Sequence, residues 1–225
     1  FLNALESDPV SAFGGIIAFN KALNYETAKE INSIFVELVI APKISKKAKM
    51  ILAKKKNLIL LEYFLNKNER IKHEIRTTKT FLLVQEVNDR KLKANDLKLV
   101  TKGKLTNQQI RDMLFGFTIC KYINSNAIVL VERNKVLGIG VGQTNRLDST
   151  IQAIKKGLKK SISKKGITLA SDGFFPFPDI IKLCKKHSIS SIIQPGGSIK
   201  DDTIIKEANK NKIKMVFTGI RNFKH

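Results

Sequence analysis

The chain has 225 residues, 43% of them apolar, and 41 Lys and Arg against 19 Asp and Glu give a net charge of +22. That apolar share, punctuated by regular turn signals, excludes a disordered chain, and no apolar run approaches the roughly 20 residues that span a bilayer. Two cysteines, Cys120 and Cys184, lie in helical patterns without metal-ligand spacing and read as buried thiols of a reducing cytoplasm. The opening Phe1-Leu2-Asn3-Ala4-Leu5-Glu6 has no basic flank or cleavage pattern of a signal peptide. The positive charge is mostly lysine, scattered along the chain and densest at helix ends, so it reads first as a solvated surface. A polyanion-binding module is the alternative.

In chain order, Glu26 to Phe35 is predicted as a helix, feeding a strand at Glu37-Leu38-Val39-Ile40. Ser45 caps the next helix, through Leu52 and Ala53, and a strand follows from Leu58. Asn66 to Arg76 reads as an exposed loop. Phe81-Leu82-Leu83-Val84 and Leu97-Lys98-Leu99-Val100 read as strands. Thr106-Asn107-Gln108-Gln109 is a capping box opening a helix to about Ile123, which delivers the polar pair Ser125-Asn126. Ala127 to Val131 and Val136 to Ile139 form a hairpin around Arg133-Asn134. Ser149 and Gln152 are expected to form a second capping box, with Ile151, Ile154 and Leu158 continuing that helix. Ile167-Thr168-Leu169-Ala170 is a buried strand that ends in the Ser171-Asp172 turn.

These elements repeat. Ser7-Asp8 with the strand Val39-Ile40-Ala41-Pro42 is answered by Ser171-Asp172 with Ile192-Ile193-Gln194-Pro195, each followed by a lysine-rich helix and a closing strand. Only seven residues precede Asp8, whereas well-patterned sequence precedes Asp172, so the first copy is expected to lack its opening half. Helices between short apolar strands imply three-layer α/β units, with ligands beyond the strand ends. The domains are expected at 1–105 and 106–225.

Several runs could carry chemistry. Gly138-Ile139-Gly140-Val141-Gly142 fits neither the dinucleotide nor the Walker spacing, but Gln143 and Arg146 follow it. It reads either as a ligand loop or as a tight strand-to-helix turn. Phe174-Phe175-Pro176-Phe177-Pro178-Asp179 reads as a stacking face for a flat heterocycle, with Asp179 accepting from its N–H groups, or as a hydrophobic plug. Gln194-Pro195-Gly196-Gly197-Ser198 precedes a helix and offers backbone N–H groups to an anion, or simply helix entry. His73, His187 and His225 have no obvious partners, and no nucleophile elbow or HExxH motif is present.

Six runs occur in family order: Ser7-Asp8-Pro9-Val10-Ser11-Ala12-Phe13-Gly14-Gly15, Lys121-Tyr122-Ile123-Asn124-Ser125-Asn126-Ala127-Ile128-Val129, Gly138 to Gln143, Ala170 to Phe177, Ile193 to Ser198, and Phe217 to His225. Together they resemble the C-terminal part of the bifunctional purine-biosynthesis enzymes that combine AICAR formyltransferase with IMP cyclohydrolase. The resemblance implies an α/β fold of tandem cytidine-deaminase-like units, without zinc, the first one incomplete. It implies a cytoplasmic homodimer with a shared active site, transferring a formyl group from 10-formyltetrahydrofolate, as co-substrate, to the amino group of AICAR. By motif, Gly14, Asn126, Arg146, Phe174 and Arg221 would contact the ribonucleotide, with Glu37 reaching it from the neighbouring subunit. Leu147, Asp179, Ser198 and Ile199 would line the folate site. The chain departs from the family at Gly173, where alanine is usual, and at Pro178, where arginine is usual. The family's catalytic Lys-His-x-Asn-Pro-Cys-Gly motif does not occur in these residues, so no catalytic residue is assigned. Formyl transfer by this chain alone is not expected. An inactive dimerising remnant is a further alternative.

Overall fold

In the computed structural model, residues 1–64, 72–157 and 166–224 are described, and the chain divides into two compact units, Phe1–Val87 and Asn88–His225. The first unit runs α1 (Leu2–Ser7), β1 (Gly15–Ala18), α2 (Tyr25–Asn32), β2 (Val36–Ala41), α3 (Lys46–Leu52), β3 (Ile59–Glu62), β4 (His73–Thr77) and β5 (Leu82–Glu86). Asn24 and Ser45 start the two main helices by accepting from the N–H groups of Thr27 and Ala48. One face of each then packs on a parallel sheet ordered β1-β2-β3, around Leu23, Ala28, Ile31, Val39, Ala48 and Leu52.

Two expectations are corrected here. The stretch read as a loop from Asn66 to Arg76 contains β4, paired antiparallel with β5 from His73↔Glu86 to Thr77↔Leu82. Its polar residues conceal it, because every residue of the hairpin is exposed and burial imposes no alternation. Residues 66–71 of that stretch lie outside the described residues. The repeat also has an unequal spacing. Asp172 follows its strand directly, whereas Asp8 precedes β1, and the first unit fits this extra strand between its Ser-Asp turn and its next helix.

The second unit holds β6 (Lys98–Leu99), α4 (Asn107–Cys120), β7 (Ile128–Glu132), β8 (Lys135–Gly140), α5 (Arg146–Gly157), β9 (Ile167–Ser171), α6 (Asp179–Lys186), β10 (Ile189–Gln194), α7 (Asp201–Lys210) and β11 (Lys214–Phe217). Its sheet is ordered β6-β11-β10-β9-β7-β8, with β9, β10 and β11 parallel and β7 antiparallel to both its neighbours. Alternation along β7 sorts the two cores. Val129 and Val131 face Met113, Phe117 and Cys120 of α4. Ile128 and Leu130 face Ala153, Ile180, Ile181, Ile204 and Ala208 of α5, α6 and α7. The result is a three-layer α/β unit. Residues 88–105, expected with the first unit, belong to this one: β6 pairs with β11, and Thr101 Oγ1 accepts from Met215 N–H at 2.8 Å.

Local signals explain the joints. The Thr106–Gln109 capping box is present, and the β7–β8 turn places Arg133 and Asn134 at φ 51° and 58°, as a two-residue hairpin requires. Buried Asp112 of α4 accepts from both of those backbone N–H groups, at 3.1 and 2.6 Å. The second capping box at Ser149 is not formed. Helix α5 starts earlier, at Arg146, where Asn145 Oδ1 accepts from Asp148 N–H at 2.8 Å. Ser149 and Gln152 instead tie the helix to its surroundings: Ser149 Oγ donates to Asn126 O, and Gln152 Oε1 accepts from Val141 N–H. Leu158 lies outside the described residues.

Among the described residues no helix is long and apolar enough to cross a membrane. Cys120 and Cys184 are fully buried, and burial pushes both thiols up from their ordinary range. Both are therefore expected to resist a thiol reagent in the native protein and to react once the chain is unfolded in guanidinium. Fast labelling of the folded protein would contradict this packing.

Candidate functional site

Antiparallel β7 begins, and β8 ends, at the same edge of the sheet at which β9, β10 and β11 finish, since Ile128 pairs with both Gly140 and Ser171. Five loops therefore gather there: Ser125–Asn126, Val141–Asn145, Asp172–Pro178, Pro195–Lys200 and Thr218–Lys224. This is where open α/β sheets place ligands.

Asp172 is the centre of the group. It is fully buried at the end of β9. Its Oδ1 accepts from Arg146 Nη2 at 2.8 Å and its Oδ2 accepts from Ser125 Oγ at 2.5 Å. Its own carbonyl accepts from Asn222 N–H at 2.9 Å. Arg146 is itself only 9% exposed, and its Nη1 donates to Phe174 O at 3.2 Å. Arg221 stands 5.1 Å over the Phe174 ring, a cation–π contact of about 1 kcal/mol. Asn126 Nδ2 donates to Gln143 O, and Ser149 of α5 holds the Asn126 carbonyl. Four expected nucleotide ligands, Asn126, Arg146, Phe174 and Arg221, are thus brought around one carboxylate. Sequence reasoning saw the Ser171-Asp172 turn but gave Asp172 no part. Its position at the end of a wholly buried strand was the signal available.

Arg146 differs from the expectation of a free fork for an anion, because one edge of its guanidinium is committed to Asp172 and Phe174. Gly173 makes this approach possible. A Cβ there would lie 2.4 Å from Arg146 Nη2 and 2.6 Å from Phe223 Cε1. Gly173→Ala is therefore expected to cost about 1–2 kcal/mol, because the guanidinium has little room to withdraw. Urea unfolding measures it, and an unchanged midpoint would show that Arg146 is not confined.

The aromatic loop divides. Phe175 is fully buried against the sheet, as a plug would be, while Phe174 is half-buried and Phe177 is 53% exposed. The plug is formed by Phe175 alone, and the Phe174 and Phe177 rings keep accessible surface. Pro178 stands at the start of α6, its carbonyl accepting from Ile181 N–H, and Asp179 is exposed on the first turn. Lys200 Nζ lies 4.6 Å from the Phe177 ring centroid and so joins this loop to Ser198 and the fully exposed Ile199. Leu147, half-buried, packs against the core beside Arg146.

Two readings from the glycine runs fail. The N–H groups of Gly197 and Ser198, offered to an anion, already donate to Asp201 Oδ2 at 2.7 and 3.2 Å. Gly196 N–H donates to Gln194 Oε1. Gly138 and Gly140 serve packing: a Cβ on either would stand 2.2 Å from Ala153 O and 1.8 Å from Ser149 O respectively, inside α5.

Gly14 and Glu37 stand in the first unit. Gly14 has φ +70°, its N–H donates to Phe35 O, and a Cβ on it would lie 3.8 Å from Glu37 Oε1. Those two are neighbours at the start of β2.

Residues 1–156 match the family described as "AICARFT/IMPCHase bienzyme". The chain belongs to that family. Among curated relatives, the "Bifunctional purine biosynthesis protein PurH" of Thermoanaerobacter sp. (strain X514) is 46% identical over the whole chain, which covers 43% of that protein. The protein of the same name from Acetivibrio thermocellus is 44% identical, again over the whole chain and 44% of its own length. The chain thus spans less than half the length of these relatives. Among solved structures, apo dCMP deaminase from the cyanophage S-TIM5 matches 50% of this chain and 98% of its own, with a TM-score of 0.35 and 16% identity.

Proposed function

We propose that this member of the bienzyme family carries ligand-holding parts of an AICAR formyltransferase site. The reading is carried by the grouping of Arg221 over Phe174, with Arg146 and Asn126 alongside, at the ligand-bearing edge of the α/β sheet. A half-buried ring beneath a cation suits a flat, polar heterocycle, and two arginines suit the anionic part of a ribonucleotide. Gly14 and Glu37 would complete the nucleotide contacts, Glu37 from a second subunit of a homodimer. Asp179, exposed at the start of α6, would accept from the N–H donors of a pterin. Leu147, Ser198 and Ile199 would flank 10-formyltetrahydrofolate there as co-substrate.

The chain's residues bind and orient in this reading. No proton-transfer group is assigned, because the Lys-His-x-Asn-Pro-Cys-Gly motif does not occur in the sequence. Lys121-Tyr122 resembles the second copy's counterpart of that Lys-His pair, with a tyrosine, 73% exposed, in place of the histidine.

Calorimetric titration with AICAR, followed by an assay of formyl transfer from 10-formyltetrahydrofolate, tests both halves of the reading. Saturable AICAR binding without turnover is expected. Absence of binding at millimolar AICAR would overturn the site, and robust turnover would overturn the restriction to binding.

A further inference from the structure

We infer that Asp172 is a positioning residue for the nucleotide site, setting Arg146 directly and the Arg221-bearing closing segment through its neighbours; this rests on the functional reading above. Arg146 Nε is buried without a hydrogen-bond partner, so the side chain is held only from its other edge. On that edge there are two contacts, the Phe174 carbonyl and the Asp172 carboxylate, and only the second is charged. A charged bond of this kind is the stronger and more directional of the two.

The closing segment converges on the same residue, directly at its main-chain carbonyl and through Ser125 at its carboxylate. Asn222 N–H donates to Asp172 O. Ser125 Oγ donates to Asp172 Oδ2 while accepting from Lys224 N–H at 3.2 Å, and Ser125 N–H donates to Lys224 O at 2.8 Å. Arg221 immediately precedes Asn222, the first of those anchors, so both arginines are referred to one buried acid. Asn222 Nδ2 further pins the segment to Phe117 O in α4. Asp172 touches no solvent, so its part is to place the groups that meet a ligand.

The test uses the full chain with Asp172→Asn and Ser125→Ala, and with Asp202→Asn, an exposed acid of α7, as control. Titration with AICAR separates stoichiometry from affinity. A purely structural part for Asp172 lowers the fraction of molecules that bind and leaves the Kd of the folded ones alone. Positioning weakens the Kd itself, by about tenfold for Asp172→Asn and about threefold for Ser125→Ala, with the control unchanged. A folded Asp172→Asn protein with a Kd within about twofold of the parent overturns the inference. Should that variant not fold, Ser125→Ala decides, and an unchanged Kd again overturns it. A parent chain that does not bind AICAR sinks the functional reading alone. Hydrogen exchange of the Arg146 Nε–H in the ligand-free protein then decides: faster exchange in either variant supports the positioning part, and equal exchange in parent and variants refutes it.

Discussion

Replacing Gly140 with alanine is expected to destabilise the second unit strongly. A Cβ there would stand 1.8 Å from the Ser149 carbonyl oxygen and 2.5 Å from its carbonyl carbon, both backbone atoms of α5. No rotamer change relieves such a clash, so helix and strand must separate. They would have to do so where Ser149 is fully buried and its hydroxyl holds Asn126. Overpacking of a tight core costs typically 1–3 kcal/mol, and a backbone collision belongs at or beyond the upper end, about 3 kcal/mol or more. Against a net stability of about 5–15 kcal/mol this is a large fraction. Circular dichroism during urea unfolding measures the loss. Alanine at Gly142, where nothing lies within 4 Å of the added carbon, meets only the strain of φ +63° and is expected to cost about 1 kcal/mol. Equal effects at the two positions would show that the close packing of β8 on α5 is not what fixes Arg146.

The second large effect separates the two neighbouring phenylalanines. Phe175→Ala removes a fully buried ring from the core beneath α6 and is expected to cost about 3–5 kcal/mol. Phe174→Ala removes a half-buried ring that lies under the Arg221 guanidinium, and is expected to cost only about 1 kcal/mol. In ligand binding the order reverses. Phe174→Ala should weaken AICAR by about tenfold or more, while any folded fraction of Phe175→Ala should bind nearly as the parent does. Thermal unfolding and calorimetry on the same samples read both quantities. Loss of stability at Phe174 with no loss of affinity would mean that both rings are plug and neither is site.

The sequence made some parts of this structure legible because their signals are local. The Thr106–Gln109 capping box, the positive-φ pair Arg133-Asn134 and the buried run before Ser171-Asp172 each depend on a few adjacent residues. Five of the six family runs, those in the second unit, likewise fall on the loops that meet at one edge of its sheet. Other parts depended on partners distant along the chain. Ser149 and Gln152 have the spacing of a cap, but Asn126 and Val141 claim their side chains, and Asn145 caps the helix instead. Glycines 138 and 140 look like a ligand loop until α5 is seen to lie against them. The Gly197 and Ser198 amides look open to an anion until Asp201 turns back on them. Strand β4 was hidden for the opposite reason, since a fully exposed hairpin carries no burial pattern at all. Asp172 was visible in sequence only as a turn residue, because its importance lies in contacts to Ser125 and Arg146 made through the fold.

The central claim is that the loops around Asp172 hold a ribonucleotide. A crystal structure of the chain with AICAR tests it most directly. The heterocycle is predicted beside Phe174 and Arg221, within reach of Asn126 and Arg146, with the Asp172–Arg146 contact intact. AICAR ordered elsewhere, with this cluster untouched at saturating ligand, would contradict the account.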